Sequence, residues 1–271
     1  MKILFYVLII FVFSACSVST EENTTDSGTS DGTASAPVEL TVGTAKSGGI
    51  AYNGYSYYKF TTSATGAGNY KFAIASMTVT DGWGSSALST YLYSNSGMTS
   101  SSRLDSESCA ASCTLYFDYE NLDASKSYYL KLSAYGTITY SLTVSQGNSE
   151  GSKNNPVELT LGTAHSGTID NIAANWEYGY SYYKFTTASA DNHTLTMNNS
   201  DSLDCSLYSD SGFSSSVSSY YNDCTAGTNL SKTFTGTSST VGLLSGTSYY
   251  LRIEGKSSTL KTTTYNITVA A

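Results

Sequence analysis

Hydrolysis by side chains needs a nucleophile held beside a base, and the 271-residue chain offers only two histidines for that base, His165 and His193. His165 stands where an otherwise matching stretch has Lys46, so the same framework does without an imidazole. His193 opens a short alternating segment and reads as a surface or strand-end residue. Nothing near either residue supplies a positioned triad, so no catalytic residue is assigned and no enzyme is expected. Asp201 and Asp204 are a pair of neighbouring carboxylates of the kind a glycosidase uses. Their surroundings favour a turn or calcium ligation over acid and base work. Oxygen ligands are plentiful there, but the D-x-D-x-D-G spacing of an EF-hand loop is missing. Calcium is the one cofactor these residues suggest.

The stronger pattern is aromatic. The chain has 24 tyrosines, and four of them sit two residues before a cation: Tyr57 with Lys59, Tyr129 with Lys131, Tyr182 with Lys184 and Tyr250 with Arg252. In an extended strand, alternate residues face opposite ways. Tyr58 and Phe60 therefore point to a core, while Tyr57 and Lys59 point outward. A row of rings beside cations is suited to stacking on sugars or packing against an extended peptide. Cross-strand pairs that only stabilise a solvated sheet face would show the same pattern. Trp83 and Trp176 lie in segments containing Gly or Asn, as sugar platforms or as caps on the end of a fold.

These residues need strands to carry them. Short stretches of period-two alternation are bounded by Gly, Ser, Asn and Asp, with no convincing helical period. The expected strands are Val38–Val42, Tyr57–Thr62, Tyr70–Ala75, Ser89–Tyr93, Thr114–Tyr119, Ser127–Ser133 and Thr137–Val144. A second set follows: Val157–Leu161, Tyr182–Thr187, His193–Met197, Cys205–Tyr208, Lys232–Phe234, Ser248–Ile253 and Thr263–Val269. The sets are copies. PVELTVGTAKSG from Pro37 returns as PVELTLGTAHSG from Pro156, and GYSYYKFTT occurs at Gly54–Thr62 and at Gly179–Thr187. LYSNSG at Leu92 pairs with LYSDSG at Leu207, and both prolines of the chain open a copy. The expected fold is all-β, two tandem antiparallel β-sandwich domains at residues 37–146 and 156–271, joined by a linker at 147–155.

The Tyr-Lys-Phe-Thr strand, the Asp-x-x-Asp-x-x-Leu-Tyr-Ser-Asp-Ser-Gly segment at Asp201–Gly212, the Tyr-Tyr-Leu-Arg-Ile strand at Tyr249 and the closing Tyr-Asn-Ile-Thr-Val strand at Tyr265 together resemble the bacterial pre-peptidase C-terminal (PPC) domain. The first copy departs from it, with Asp81-Gly-Trp-Gly in place of the aspartate pair. The resemblance implies jelly-roll-like sandwiches of the kind appended to secreted proteases and other surface proteins, some of which bind collagen or insoluble polysaccharide. It does not name a ligand.

Composition narrows the partners. A net charge of −8 and an isoelectric point near 4.6 argue against nucleic acid, and 13% charged residues argue against a solvated disordered chain. Lys2, the apolar run Ile3–Phe13 and the small residues Ser14 and Ala15 form a secretory signal over residues 1–15, too short for a spanning helix. Phe13-Ser-Ala-Cys16 resembles the lipobox of bacterial lipoproteins, with Phe13 where Leu is usual. That implies lipidation of Cys16, a membrane anchor and a location in the cell envelope. Ser17, which is not Asp, implies by the same resemblance the outer membrane or cell surface. Residues 16–36 read as the lipidated cysteine and a flexible Ser/Thr-rich tether.

With Cys16 assigned to lipid, four of the five cysteines remain, two in each copy: Cys109 with Cys113, and Cys205 with Cys224. Export and even counts favour disulfides within each copy, and the missing histidine partners argue against zinc. The expected role is a non-enzymatic surface lipoprotein that binds or adheres to an extracellular polysaccharide or protein. A spacer of the envelope without a ligand and an accessory carbohydrate-binding protein are the alternatives.

Overall fold

A computed structural model describes residues 30–81, 88–110, 113–171, 179–190, 192–199, 201–224, 227–234, 243–255 and 261–271. The signal segment, Cys16, Trp83 and Trp176 lie outside the described residues. The first copy forms β1 (Val38–Leu40), β2 (Ala45–Ile50), β3 (Tyr55–Thr61), β4 (Gly68–Asp81), β5 (Leu88–Tyr93), β6 (Arg103–Cys109), β7 (Cys113–Leu122), β8 (Ser127–Ser133) and β9 (Thr137–Glu150). The second forms β10 (Val157–Glu158), β11 (His165–Asn171), β12 (Tyr180–Thr186), β13 (His193–Asn199), β14 (Leu203–Tyr208), β15 (Ser216–Cys224), β16 (Gly227–Phe234), β17 (Ser248–Gly255) and β18 (Lys261–Ala270). Among the described residues, no helix is long and apolar enough to cross a membrane.

Each copy builds one five-stranded and one four-stranded sheet. The orders are β1-β3-β8-β5-β6 with β2-β9-β4-β7, and β10-β12-β17-β14-β15 with β11-β18-β13-β16. The duplication seen in sequence is thus repeated strand for strand, in an all-β, sandwich-like architecture. Tyr58, Phe60, Phe72, Leu130 and Leu142 fill the first core; Tyr183, Phe185, Leu195, Leu251 and Ile267 fill the second. Alternation does the sorting: β8 and β17 bury every second residue, as a sheet with one face on a core must.

Three expectations are corrected. The sandwich is not wholly antiparallel, because β1 runs parallel to β3 and β10 parallel to β12. The intervening strand lies in the other sheet, so the chain crosses over, reverses and returns in its first direction. Four strands were not anticipated: β2, β11, β6 and β15. β6 reads RLDSESC, a charged edge strand without an apolar alternation; such residues discourage further pairing at a sheet edge. Finally, the first four of the nine residues expected as linker are strand, since β9 continues to Glu150 and pairs with β4 as far as Gly68.

The tether is shortened for the same reason. Ser30-Asp31-Gly32 and Ser149-Glu150-Gly151 are equivalent, each starting seven residues before the proline that opens its copy. Asp31 N–H donates to Ser56 Oγ and Glu150 N–H to Ser181 Oγ, at 2.8 and 3.0 Å. Ser30 Oγ accepts from Ala51 N–H, as Ser149 Oγ accepts from Asp170 N–H. The acid then enters the core polar cluster. Tyr58 donates to Asp31 at 2.6 Å and lies 2.7 Å from the Tyr140 hydroxyl. Tyr183 likewise donates to Glu150 at 3.1 Å and meets Tyr265 at 2.5 Å. Burial, the paired ring and the carboxylate push both hydroxyls far above the ordinary tyrosine range, so they act as donors. Gly32 and Gly151 are held at φ +62° and +67°, which only glycine adopts freely, and a Cβ on Gly32 would lie 2.6 Å from Tyr57 O.

The copies meet through a buried ion cluster. Asp170 of β11 accepts from Asn69 Nδ2 at 3.0 Å, from Asn148 N at 2.8 Å and Nδ2 at 2.9 Å, and from Thr262 Oγ1 at 2.7 Å. Lys71 Nζ lies 3.0 Å away. Burial opposes ionisation of Asp170, but the donors from Asn148, Asn69 and Thr262 outweigh it and hold the carboxyl at about 2. Asn121 completes the junction, donating to Gly151 O and Tyr180 O at 2.6 and 2.7 Å.

Both cystines form as expected, Cys109–Cys113 and Cys205–Cys224. The first joins β6 to β7, strands in different sheets, at the point where the chain crosses between them. The second joins neighbouring strands of one sheet. Replacing Cys109 and Cys113 together with serine is expected to cost about 2 kcal/mol, the loop-closure value for so short a ring, read from urea unfolding at pH 7.

Candidate functional site

The four Tyr-x-cation pairs do lie on the two five-stranded sheets, but the copies use them differently. In the first copy the register aligns Tyr57 with Lys131 and Lys131 with Tyr91, across β3, β8 and β5. The adjacent row aligns Glu39, Lys59, Tyr129, Tyr93 and Arg103. Tyr57, Tyr91 and Tyr129 are half-buried and Arg103 is exposed. Cations meet rings across strands rather than along one: Lys131 Nζ lies 3.9 Å from the centre of the Tyr55 ring, and the Arg103 guanidinium 6.0 Å from that of Tyr91. Lys59 is held by Glu39 at 2.7 Å, and that hydrogen bond raises its pKa above the ordinary lysine value. The result is an open, mixed aromatic and cationic surface.

In the second copy Tyr182 is covered, which corrects the expectation for it, while Lys184, Tyr250 and Arg252 stay partly exposed. The Tyr182 side chain is 1% exposed, under Phe213. The Phe213 ring sits edge-on to Tyr182 at 4.9 Å, to Tyr208 at 5.4 Å and to Tyr250 at 5.6 Å. Together with Tyr180 these rings make a second small apolar cluster on the sheet's outer side. Lys184 is held by Glu158 at 2.7 Å, and Arg252 stands 5.1 Å from the Tyr180 ring centre and 3.5 Å from Glu254. Tyr250 is half-buried beside Phe213. The first copy has Met98 at the Phe213 position, and both residues are held at positive φ, 44° and 54°.

Sequence reasoning missed Tyr55, Tyr91 and Arg103. Tyr55 was visible as the first tyrosine of GYSYYKFTT, on the same parity as Tyr57. Tyr91 has Ser206 as its counterpart, so a search for repeated features passes over it. Arg103 belongs to an unanticipated edge strand.

The remaining candidates are placed as follows. His193 opens β13, a strand-end residue as expected, but it is fully buried rather than at the surface, with its ring 6.3 Å from Phe185. His165 Nε2 lies 2.8 Å from Glu150 Oε2, and the ring stacks edge-on to Tyr183 at 5.5 Å. Asp204 is buried, and Asp201 accepts from Thr263 Oγ1 at 2.9 Å. Among the described residues, no three His, Cys, Asp or Glu side chains gather as a metal would require. A cleft of about 300 Å³ at the junction is lined by Arg103, Leu104, Asp105, Asp123, Lys126 and Lys153, among others. Ser152 Oγ and Asn154 Nδ2 donate to Asp123 at 2.7 and 2.9 Å, so part of its wall is made by the junction's own hydrogen bonds.

No protein-family model matches the chain, and no curated protein matches it. Among solved structures it is similar to tripeptidyl peptidase 2, at 8% identity and a TM-score of 0.30, over 86% of this chain and 24% of that one. A putative secreted protein from Eubacterium rectale shares 12% identity at a TM-score of 0.24, over 92% and 84% of the two chains. An M60 catalytic domain with two CBM51 domains from Clostridium perfringens shares 7% identity at a TM-score of 0.22, over 83% and 34%. The chain thus spans about a quarter of the peptidase's length and a third of the Clostridium protein's.

Proposed function

We propose that the chain is a non-enzymatic, lipid-anchored binding or adhesion module of the cell envelope, and that the outer face of β3, β8 and β5 in the first copy is its contact surface. The observation that carries this reading is the contrast between the copies. One scaffold presents the same Tyr and cation positions twice, yet Phe213 covers Tyr182 in the second copy while its counterpart Tyr57 in the first stays partly exposed. Half-exposed rings flanked by Lys131 and Arg103 offer apolar faces for stacking and donors for hydroxyl or carboxylate groups. An extracellular polysaccharide or an extended protein segment fits that chemistry. The export signal and the lipobox resemblance support the location, and the PPC resemblance supports a binding role over catalysis. A spacer role is favoured by one feature alone, the buried junction cluster around Asp170, which would hold the tandem stiff.

The test is retention on a panel of insoluble polysaccharides and protein-coated surfaces. The combined variant Tyr57→Ser, Tyr91→Ser, Tyr129→Ser is expected to lose about tenfold or more of its retention, the scale on which removing central aromatic contacts acts. Unchanged retention on every surface that holds the unmodified protein would end the proposal.

A further inference from the structure

The two copies have equivalent ends with different surroundings. In the second copy, the end formed by Ser149, Asp170, Tyr180 and Thr262 is docked: Asp170 takes Asn69 and Lys71, and Tyr180 O takes Asn121. The matching residues of the first copy are Ser30, Ala51, Tyr55 and Thr137, by register and by the shared serine contacts. No other part of the described chain is shown docked there. That end carries four of the six large hydrophobic side chains exposed among the described residues: Tyr52 at 56%, Tyr55 at 45%, Val79 at 41% and Tyr135 at 74%. They are neighbours by topology. Tyr52 lies in the turn from β2 to β3 and Tyr135 in the turn from β8 to β9, while Tyr55 pairs with Ser133 and Val79 with Ile138. A concentration of apolar surface of this kind marks a contact site.

Two facts select the occupant. The first is where the chain leaves. Ser30, hydrogen-bonded to Ala51 N–H, is at this same end, and only residues 17–29 separate it from Cys16. Fourteen residues reach at most about 45–50 Å when extended, and a flexible chain of that length spans about 20 Å. The second is chemistry. The turns Ala51–Gly54 and Ala134–Gly136 contain no acid in a chain of net charge −8, although Asp81 pairs with Thr137 beside them, and Lys131 stands over Tyr55. Tyrosine, with an apolar ring and a polar hydroxyl, is suited to the headgroup region of a bilayer. Docking of a second copy fits less well, because the ion pair of the internal junction cannot be reproduced. Ala51 replaces Asp170, and Thr194 replaces Lys71.

We propose that this end of the first copy is a lipid-contact surface, seated on the bilayer interface beside the anchor by Tyr52, Tyr55, Val79 and Tyr135. The proposal rests on the reading of Cys16 as the lipid-bearing residue, and the experiment separates the two. The chain from Cys16 onward, with that thiol coupled to a maleimide phospholipid, is placed on phosphatidylcholine and phosphatidylglycerol vesicles, so anchoring is imposed. The N-terminal mass of protein isolated from membranes reports natural lipidation independently. In a Trp83→Phe, Trp176→Phe background, the Tyr135→Trp probe is expected to lose about half or more of its emission to brominated lipid. The Leu244→Trp probe, in the second copy, is expected to lose little. Equal quenching of both probes, or of neither, would overturn the proposal. Should that background not fold, hydrogen exchange on the unmodified sequence is the readout. Amides of residues 51–54 and 134–136 are expected to slow severalfold on vesicles, and unchanged exchange would overturn the proposal equally. Self-association of the unanchored chain that Tyr135→Ser abolishes would assign the surface to a second copy instead.

Discussion

Asp170→Ala is expected to lower the free energy of unfolding at pH 7 by about 3–5 kcal/mol, the range for removing one partner of a buried, hydrogen-bonded ion pair. The carboxylate is buried, so its loss removes the ion pair with Lys71 and strips Asn69, Asn148 and Thr262 of a shared acceptor. Those groups come from β4, β9 and β18 and converge on Asp170 of β11, so the damage falls on the junction of the two copies. The same group sets an acid limit. Its folded pKa of about 2 lies below the ordinary 3.8, so the folded state gains from ionisation. That gain is complete above the unfolded-state value and is lost as the pH falls through the folded one. It amounts to about 2 kcal/mol, since a tenfold change in proton affinity between the folded and unfolded states is worth about 1.36 kcal/mol. Urea unfolding at pH 7 and pH 2 should show this loss in the unmodified chain and its absence in Asp170→Asn. A pH dependence unaltered by Asp170→Asn would assign it to other carboxylates.

Phe213→Ala is expected to cost about 3 kcal/mol, near the lower end for deleting a buried phenylalanine side chain, and to unfold the second copy first on heating. The ring holds three tyrosines in edge-on contact, so its removal both exposes their faces and leaves a cavity over Tyr182. The backbone at φ 54° is unfavourable for any residue with a Cβ, as it is at Met98, so the variant keeps that cost and loses the ring contacts. Met98→Ala, at the matching turn, is expected to cost less, because Met98 is only partly buried. The measurement is paired calorimetric melting of the two variants. A larger loss from Met98→Ala would reverse the assignment of the covered ring to the second copy.

How far the sequence speaks for itself can be judged from these residues. Alternation in GYSYYKFTT separates Tyr58 and Phe60 from Tyr57 correctly, because a strand with one face on a core has no other way to bury them. The same reasoning fails at Tyr182, where the outward side is also covered. The information was present, as the change from Met98 to Phe213 after matching LYSNSG and LYSDSG motifs, but the meaning of one larger ring depends on a turn folding back over the sheet. β2 and β11 were missed because AKSGGI and HSGTIDN owe their pairing to β9 and β18 rather than to alternation of their own. The Ser-acid-Gly segments were legible in principle from their constant spacing to Pro37 and Pro156. In the sequence they look like tether and linker because their role is to supply one carboxylate and one serine to distant partners. Asp170 stands where the first copy has Ala51, so a search for repetition overlooks the residue that joins the copies.

The asymmetry between the two faces is the central claim, and the most direct measurement compares them on one surface that holds the unmodified protein. Tyr57→Ser, Tyr91→Ser and Tyr129→Ser in the first copy are set against Arg252→Ser and Tyr250→Ser in the second, with both variants confirmed folded by melting. The expected result is a loss of about tenfold or more in retention for the first variant and less than about twofold for the second. Equal losses, or a greater loss from the second copy, would contradict the assignment of the open face as the contact surface.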